Sequence, residues 1–282
     1  MEDGQENCLG LLPLTLIASA NNWKRSYSQV DSQISARRRQ AIKSTKRIWE
    51  HQVAEEIFMT ANSSGNCYLC GAGLVKSAMK NHILKFHKED RDGKEDKDGQ
   101  ECCLLKIEGV YPKGYWLYVD IPMGKTLAAL DSFLRKIWLE CCGHMSSFFL
   151  PRHLEIGKSR KLGSFAVGDC FEHHYDFGTT TETVITVIGN TTRKTQKSVV
   201  RLLARNAPPA LKCEECGKPA EYVGICFNDG TEHMYCDNCC DEYDENEFAF
   251  LPVTNSPRMG QCGYDGEFDC FEFDPESVTQ NS

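Results

Sequence analysis

YWLYVDIP (115–122) and TLAALDSFLRKIWLE (126–140) decide how this chain folds. In the second stretch Leu127, Leu130, Phe133 or Leu134, Ile137 and Trp138 recur at helical spacing and define one buried face. Thr126 is placed to cap that helix and Gly143 follows its end. Around it lie runs rich in aromatic and β-branched residues, which favour strands: LLKIEG (104–109), YWLYVDIP itself, SSFFL (146–150), CFEHHY (170–175) and ETVITVIG (182–189). A turn at Tyr111-Pro112-Lys113-Gly114 joins the first two. The order hairpin, helix, further strands predicts an α+β domain over 102–209, a β-grasp-like sheet with one packed helix. A small N-terminal zinc finger and a C-terminal zinc ribbon are expected on either side.

The 282 residues suffice for one ordinary domain plus small modules. The formal net charge of −8 excludes a polycation, but the charge is uneven. Arg37, Arg38, Arg39, Lys43, Lys46 and Arg47 lie together without an acid, whereas beyond residue 240 Arg258 is the only basic residue among many acids. This reads as a basic contact segment and an acidic, solvated tail. The apolar run at 8–20 follows Glu2, Asp3 and Glu6 and is interrupted by Pro13, which argues against an export signal, and it is too short to span a bilayer. Sixteen cysteines in a chain read as cytoplasmic and reducing point to metal ligands rather than disulfides.

From 1 to 60 the chain reads as an extension with a long helix over 32–60, marked by Ile42, Trp49, Val53 and Ile57. Its basic half suits phosphates or is simply a solvated face. Over 61–88, Cys67 and Cys70 are separated by two residues; eleven more lead to His82, and four more to His87. Two thiolates on a knuckle and two imidazoles one helical turn apart give zinc its four ligands. Leu74 and Met79 occupy the positions of a small finger's core. The stretch resembles a two-Cys/two-His zinc finger, with a spacer one residue short. In that pattern Val75, Ala78 and Asn81 take the base-reading positions, and only Asn81 can make a bidentate base contact. Lys76 and Lys80 suit phosphates, so general rather than sequence-specific contact is expected. Residues 89–101 contain no apolar side chain in their charged part and read as a flexible linker, leaving the finger outside the core.

Over 210–264, Cys213 and Cys216, then nineteen residues, then Cys236 and Cys239 form two C-x2-C knuckles joined by a hairpin. This resembles a zinc ribbon: a closed four-thiolate site is structural, with zinc favoured over iron. Cys226, His233 and Cys240 lie nearby as spares. Residues 265–282 read as an acidic, disordered tail. The segment 193–205 carries Arg193, Lys194, Lys197, Arg201 and Arg205 and reads as a basic helix. Cys102-Cys103 and Cys141-Cys142 read as small core residues. Glu172, His174 and Asp176 alternate along one strand face, which suits either acid–base work or a solvated edge. No nucleophile accompanies them and no phosphate-cradling glycine loop is present, so no catalytic residue is assigned.

The strand-helix-strand pattern from YWLYVDIP to SSFFL, followed by Tyr175, Asp176, Phe177 and Gly178, resembles the plasmid Ri open-reading-frame-three-like domain family. The resemblance covers about a third of the chain. It departs from the family at Tyr115 to Tyr118, where an Ile-Trp-Arg-Arg-like segment is usual, and at Thr179, Thr180 and Thr181, where Asp, an aromatic and His are usual. The stretch 251–264 resembles the ending of archaeal members that carry a finger, the core domain and a ribbon. What the resemblance implies is a passenger of mobile elements whose molecular function is poorly defined.

The reading is therefore a non-enzymatic protein with two zinc ions, contacting nucleic acid through Arg37, Arg38, Arg39, Lys43, Lys76, Lys80 and Asn81. The alternative is a protein–protein adaptor that docks through the ribbon and the α+β domain. A third is a hydrolase or nuclease using Glu172, His174 and Asp176. No membrane partner is expected.

Overall fold

The computed structural model describes residues 63–87, 99–194 and 198–274. The basic segment with Arg37, Arg38, Arg39 and Lys43, the helix expected over 32–60, most of the charged linker and the last eight residues lie outside the described residues. No described helix is long and apolar enough to cross a membrane.

The main element is a nine-stranded antiparallel sheet, which overturns the β-grasp expectation. Its strands are β1 (Ser64–Cys67), β2 (Gly73–Val75), β3 (Gln100–Gly109), β4 (Trp116–Pro122), β5 (Ser146–Leu150), β6 (Leu154–Ile156), β7 (Cys170–Tyr175), β8 (Thr181–Arg193) and β9 (Arg201–Asn206). They run in the order β2-β1-β9-β4-β3-β8-β7-β5-β6. All seven residues of β4 are buried. That is the physical reason a single packed helix is insufficient: a strand apolar on both faces needs both faces covered.

The first cover is the expected helix, α2 (Leu127–Leu134), with Thr126 at its N-cap, continued by a π-helical turn over Arg135–Leu139. Leu127, Leu130, Leu134, Ile137 and Trp138 pack on the sheet face formed by Cys103, Leu105, Ile107, Leu117, Val119 and Ile121. The second cover is the finger helix, α1 (Lys76–Phe86). Its Met79 and Ile83 join Leu104, Trp116, Tyr118, Ile188, Leu203 and Ala204 on the opposite face. Successive residues of β3 and β4 thus feed two different cores, as the two-residue strand period requires.

The finger is accordingly no appendage. β1 pairs antiparallel with β9, Gly65 opposite Asn206 and Cys67 opposite Ala204, so the finger extends the sheet. The segment expected as a basic helix over 193–205 is instead the end of β8 and the strand β9. Its arginines point into the structure rather than out of it. Arg193 and Arg201 both pair with the fully buried Asp120, at 3.1 and 2.5 Å, and Arg205 pairs with Asp269 at 2.5 Å. A charge taken out of water needs a partner, and each of these has one.

The ribbon is a separate three-stranded sheet of β10 (Tyr222–Cys226), β11 (Glu232–Tyr235) and β12 (Phe248–Pro252), with the one-turn α3 (Asp237–Cys240) after β11. Beyond β12 the chain returns to the main sheet. Ser256, Arg258 and Tyr264 are buried there, Tyr68 donates its hydroxyl hydrogen bond to the Phe271 carbonyl at 2.6 Å, and Phe271 packs on Phe133. The part of the expected tail between 265 and 274 is therefore tied down.

Candidate metal centres

At the first predicted centre, Cys67 ends β1, Cys70 lies in the knuckle, His82 is on α1 and His87 caps it. The knuckle closes through the Gly71 amide, which donates to the Cys67 carbonyl at 2.8 Å; Gly71 sits at φ +73°. One donor atom from each of the four residues lies within 4.8 Å of all the others. His82 Nε2 is 3.3 Å from Cys70 Sγ and 3.1 Å from His87 Nε2. Met79 is buried and Leu74 is half-buried, both in the core that α1 shares with the sheet. Burial pushes the Cys67 thiol up to about 11. A cation arriving there displaces that proton, so occupancy is linked to pH.

At the second, Cys213 and Cys216 precede β10, while Cys236 and Cys239 flank the start of α3. Again the four sulfurs lie within 4.8 Å of one another, with Cys216 and Cys236 at 3.6 Å. Gly217, at φ +73°, donates its amide to the Cys213 carbonyl and makes the knuckle turn that a side chain would strain. Burial opposes ionisation of Cys213, but hydrogen bonds from the backbone of Cys236, Cys216 and Glu215 outweigh it and bring the thiol down to about 6. Backbone amides aimed at sulfur favour the thiolate, the form that binds metal. The spares stay out of this set: His233 pairs with Glu214 at 2.9 Å, and Cys240 donates to the Asp237 carbonyl.

A third group escaped the sequence. Cys141, Cys142, His144 and Cys262 also bring four donor atoms within 4.8 Å of one another. The short Cys-Cys-x-His run was a usable signal, but its fourth member lies 120 residues beyond Cys142, where no local spacing could find it. Cys142 and Cys262 are exposed, so the expectation that Cys141-Cys142 is core filling does not hold for Cys142.

The strand carrying Glu172, His174 and Asp176 divides them. Glu172 and His174 pair at 3.0 Å on the outer face. Asp176 lies past the end of β7 at φ +64°, buried, and binds Arg258 Nη2 at 2.7 Å. Among the described residues the fully buried imidazole is His173, which hydrogen-bonds Asp131 Oδ1 at 2.8 Å. Of the residues expected at nucleic acid, Lys76 is paired with Glu108 at 2.7 Å, while Lys80 and Asn81 are exposed on α1.

No family model and no curated protein matches this chain. Among solved structures, the crystal structure of a protein of unknown function from Methanosarcina mazei Go1 is similar over 42% of this chain and 75% of that one, at 16% identity and a TM-score of 0.33.

Proposed function

We propose that the chain is a non-enzymatic, zinc-dependent binding protein in which closed metal centres hold the finger and the ribbon as rigid docking surfaces. The observation that carries this reading is the donor geometry: two sets of four protein ligands, each within 4.8 Å, made of thiols and imidazoles alone. Four such ligands complete a tetrahedral zinc ion and leave no position for water or substrate. Thiolate-rich, oxygen-free sets also disfavour magnesium and calcium.

A protein partner is the reading the surface supports best. Arg193, Arg201 and Arg205 are spent on Asp120 and Asp269, which removes one of the two basic patches from solvent. The formal net charge is −8, and the ribbon presents Phe227 at 60% exposure, with its amide bonded to the Glu247 carbonyl at 2.8 Å. The second reading is nucleic acid, favoured by Lys80, Asn81 and Lys85 exposed along α1 together with the basic segment at Arg37, Arg38, Arg39 and Lys43.

The deciding experiment is binding of the zinc-loaded chain to single- and double-stranded DNA and RNA across a salt series. Affinity that falls log-linearly with salt and is lost on substituting Lys80 and Arg37 to Arg39 selects nucleic acid. No binding at low salt leaves the protein partner, whose capture should then vanish on chelation.

A further inference from the structure

We infer that Cys141, Cys142, His144 and Cys262 form a third site for a thiophilic divalent cation, with zinc the ion the donors favour, and that it fastens the C-terminal strap, residues 253–274, to the main sheet. The sulfur–sulfur distances are those of a coordination shell, and the imidazole nitrogen stands slightly inside it. With metal–sulfur bonds of about 2.3 Å and metal–nitrogen bonds of about 2.0 Å, tetrahedral corners stand about 3.8 Å apart between sulfurs and about 3.5 Å between sulfur and nitrogen. Cys142 Sγ is 3.8 Å from Cys262 Sγ and 3.8 Å from Cys141 Sγ. His144 Nε2 is 2.9 Å from Cys142 Sγ and 3.1 Å from Cys262 Sγ. The finger and ribbon, whose spacing alone marks them as metal sites, have comparable edges of 3.1 to 3.6 Å between their donors.

The backbone is shaped to bring these atoms together. Gly143, at φ +81°, turns the chain between Cys142 and His144. Its amide donates to Glu140 Oε1 at 2.6 Å, and Arg135 holds the other oxygen of that carboxylate at 2.6 Å. Cys262 is itself at φ +49°, followed by Gly263 at φ +67°. A cysteine kept in the left-handed region needs surroundings that hold it there. The strap does so: Ser256 Oγ donates to the Trp138 carbonyl at 2.5 Å, and Gln261 Oε1 accepts from Thr181 Oγ1 at 3.1 Å.

The electrostatics agree. Three thiolates and a neutral imidazole around a dication leave one excess negative charge. Arg258, fully buried, places Nη2 at 3.5 Å from Cys141 Sγ. A guanidinium hydrogen bond to a metal thiolate offsets that charge, the supporting role groups behind a metal ligand commonly play. Asp176 Oδ2 lies 3.4 Å from His144 Nε2 but is held back by Arg258, and its Oδ1 accepts from the Gly178 amide, so the carboxylate stays outside the ligand set.

The site differs from the other two in access. The finger buries Cys67 and the ribbon buries Cys213 and Cys236, whereas no ligand of the third site is fully buried. Its ion is expected to be the first released to a chelator, loosening the strap that joins β12 to the sheet while the other centres stay loaded.

The test uses the full chain, reduced and zinc-loaded, with zinc counted by elemental analysis and native mass spectrometry. Three ions are expected in the wild type, two in Cys262→Ser, two in Cys70→Ser and one in the double variant. Two ions in the wild type, with a count that falls in Cys70→Ser but not in Cys262→Ser, overturn this proposal alone. A wild type without zinc overturns it together with the proposed function. Should Cys262→Ser not fold, alkylation of the wild type decides. Cys142 and Cys262 should resist iodoacetamide until chelator is added, while exposed Cys270, which belongs to no cluster, reacts at once. Modification of Cys142 and Cys262 at the rate of Cys270 in the zinc-loaded chain, or a Cys142–Cys262 disulfide in place of the ion, overturns it.

Discussion

Trp116 lies over Gly65 so closely that a Cβ added to the glycine would sit 2.6 Å from the Trp116 ring carbon Cη2. The Arg205 carbonyl oxygen is closer still. Trp116 Nε1 also donates to Ser63 Oγ at 2.9 Å. This contact is where the finger becomes part of the sheet: Gly65 is on β1, Trp116 is on β4, and β9 runs between them. Gly65→Ala should therefore detach β1 from β9 rather than simply crowd the core, at a cost of about 1–3 kcal/mol. Hydrogen exchange should rise in β1, β2 and α1 while α2 stays protected. Unchanged protection of β1 would show that the finger is held by α1 alone.

Acid sensitivity should trace to Asp131. Burial alone would raise its pKa, but hydrogen bonds from His173, Ser146 and Lys158 outweigh that and hold the carboxyl well below its ordinary 3.8. Arg135 adds a fourth contact at 3.2 Å. A depressed carboxyl contributes stability that is present above the unfolded value and lost as pH falls through the folded one. Burial also lowers the pKa of His173 from 6.5, so its protonation favours unfolding from about that pH downward. At pH 7, Asp131→Asn should cost about 1.5–3 kcal/mol, the value of charge-assisted hydrogen bonds. The gap to wild type in urea unfolding should begin to narrow below about pH 4, where the unfolded chain takes up the proton, and close only as pH falls through the lower folded value. Metal release acts on both proteins alike, so the difference isolates Asp131. A gap constant from pH 7 to pH 3 would mean the carboxyl is not ionised in the fold.

Arg258 and Asp176 are a buried pair, 82 residues apart in sequence, and Tyr175 lies beside the Arg258 guanidinium at 4.8 Å. Removing one member leaves the other charge uncompensated. Arg258→Met should cost about 3–5 kcal/mol, and adding Asp176→Asn should recover part of it. A double variant no more stable than the single one would place the role of Arg258 elsewhere, at Thr179 and Thr181.

In the ribbon, the zinc reading predicts that Cys216→Ala or a strong chelator unfolds β10 to β12, with loss of the near-ultraviolet signal of Tyr235, Tyr243, Phe248 and Phe250, which pack together. A small sheet with a core of this size needs its metal to fold. An unchanged aromatic signal after metal removal would show that the aromatic cluster suffices.

What the sequence disclosed follows the range of each signal. Helical spacing within 126–140 and the three C-x2-C spacings are local, and all are readable. The pairing of Gly65 with Asn206 and the meeting of Cys142 with Cys262 join residues more than a hundred positions apart, and no periodicity records them. YWLYVDIP is apolar on both faces except at Asp120, a pattern that requires a cover on both sides, and the finger helix is the second cover. The arginines of 193–205 carry no local sign of burial, because the carboxylates that draw three of them inward, Asp120 and Asp269, lie more than sixty residues away in sequence.

The central claim is that metal centres lock the finger and the ribbon into place. Its most direct test is an anomalous-difference map, collected at the zinc edge, from crystals of the full chain. One peak is expected among Cys67, Cys70, His82 and His87 and one among Cys213, Cys216, Cys236 and Cys239, each within bonding distance of all four donors. Well-ordered side chains at both places with no anomalous density, or with cysteines joined as disulfides, would contradict it.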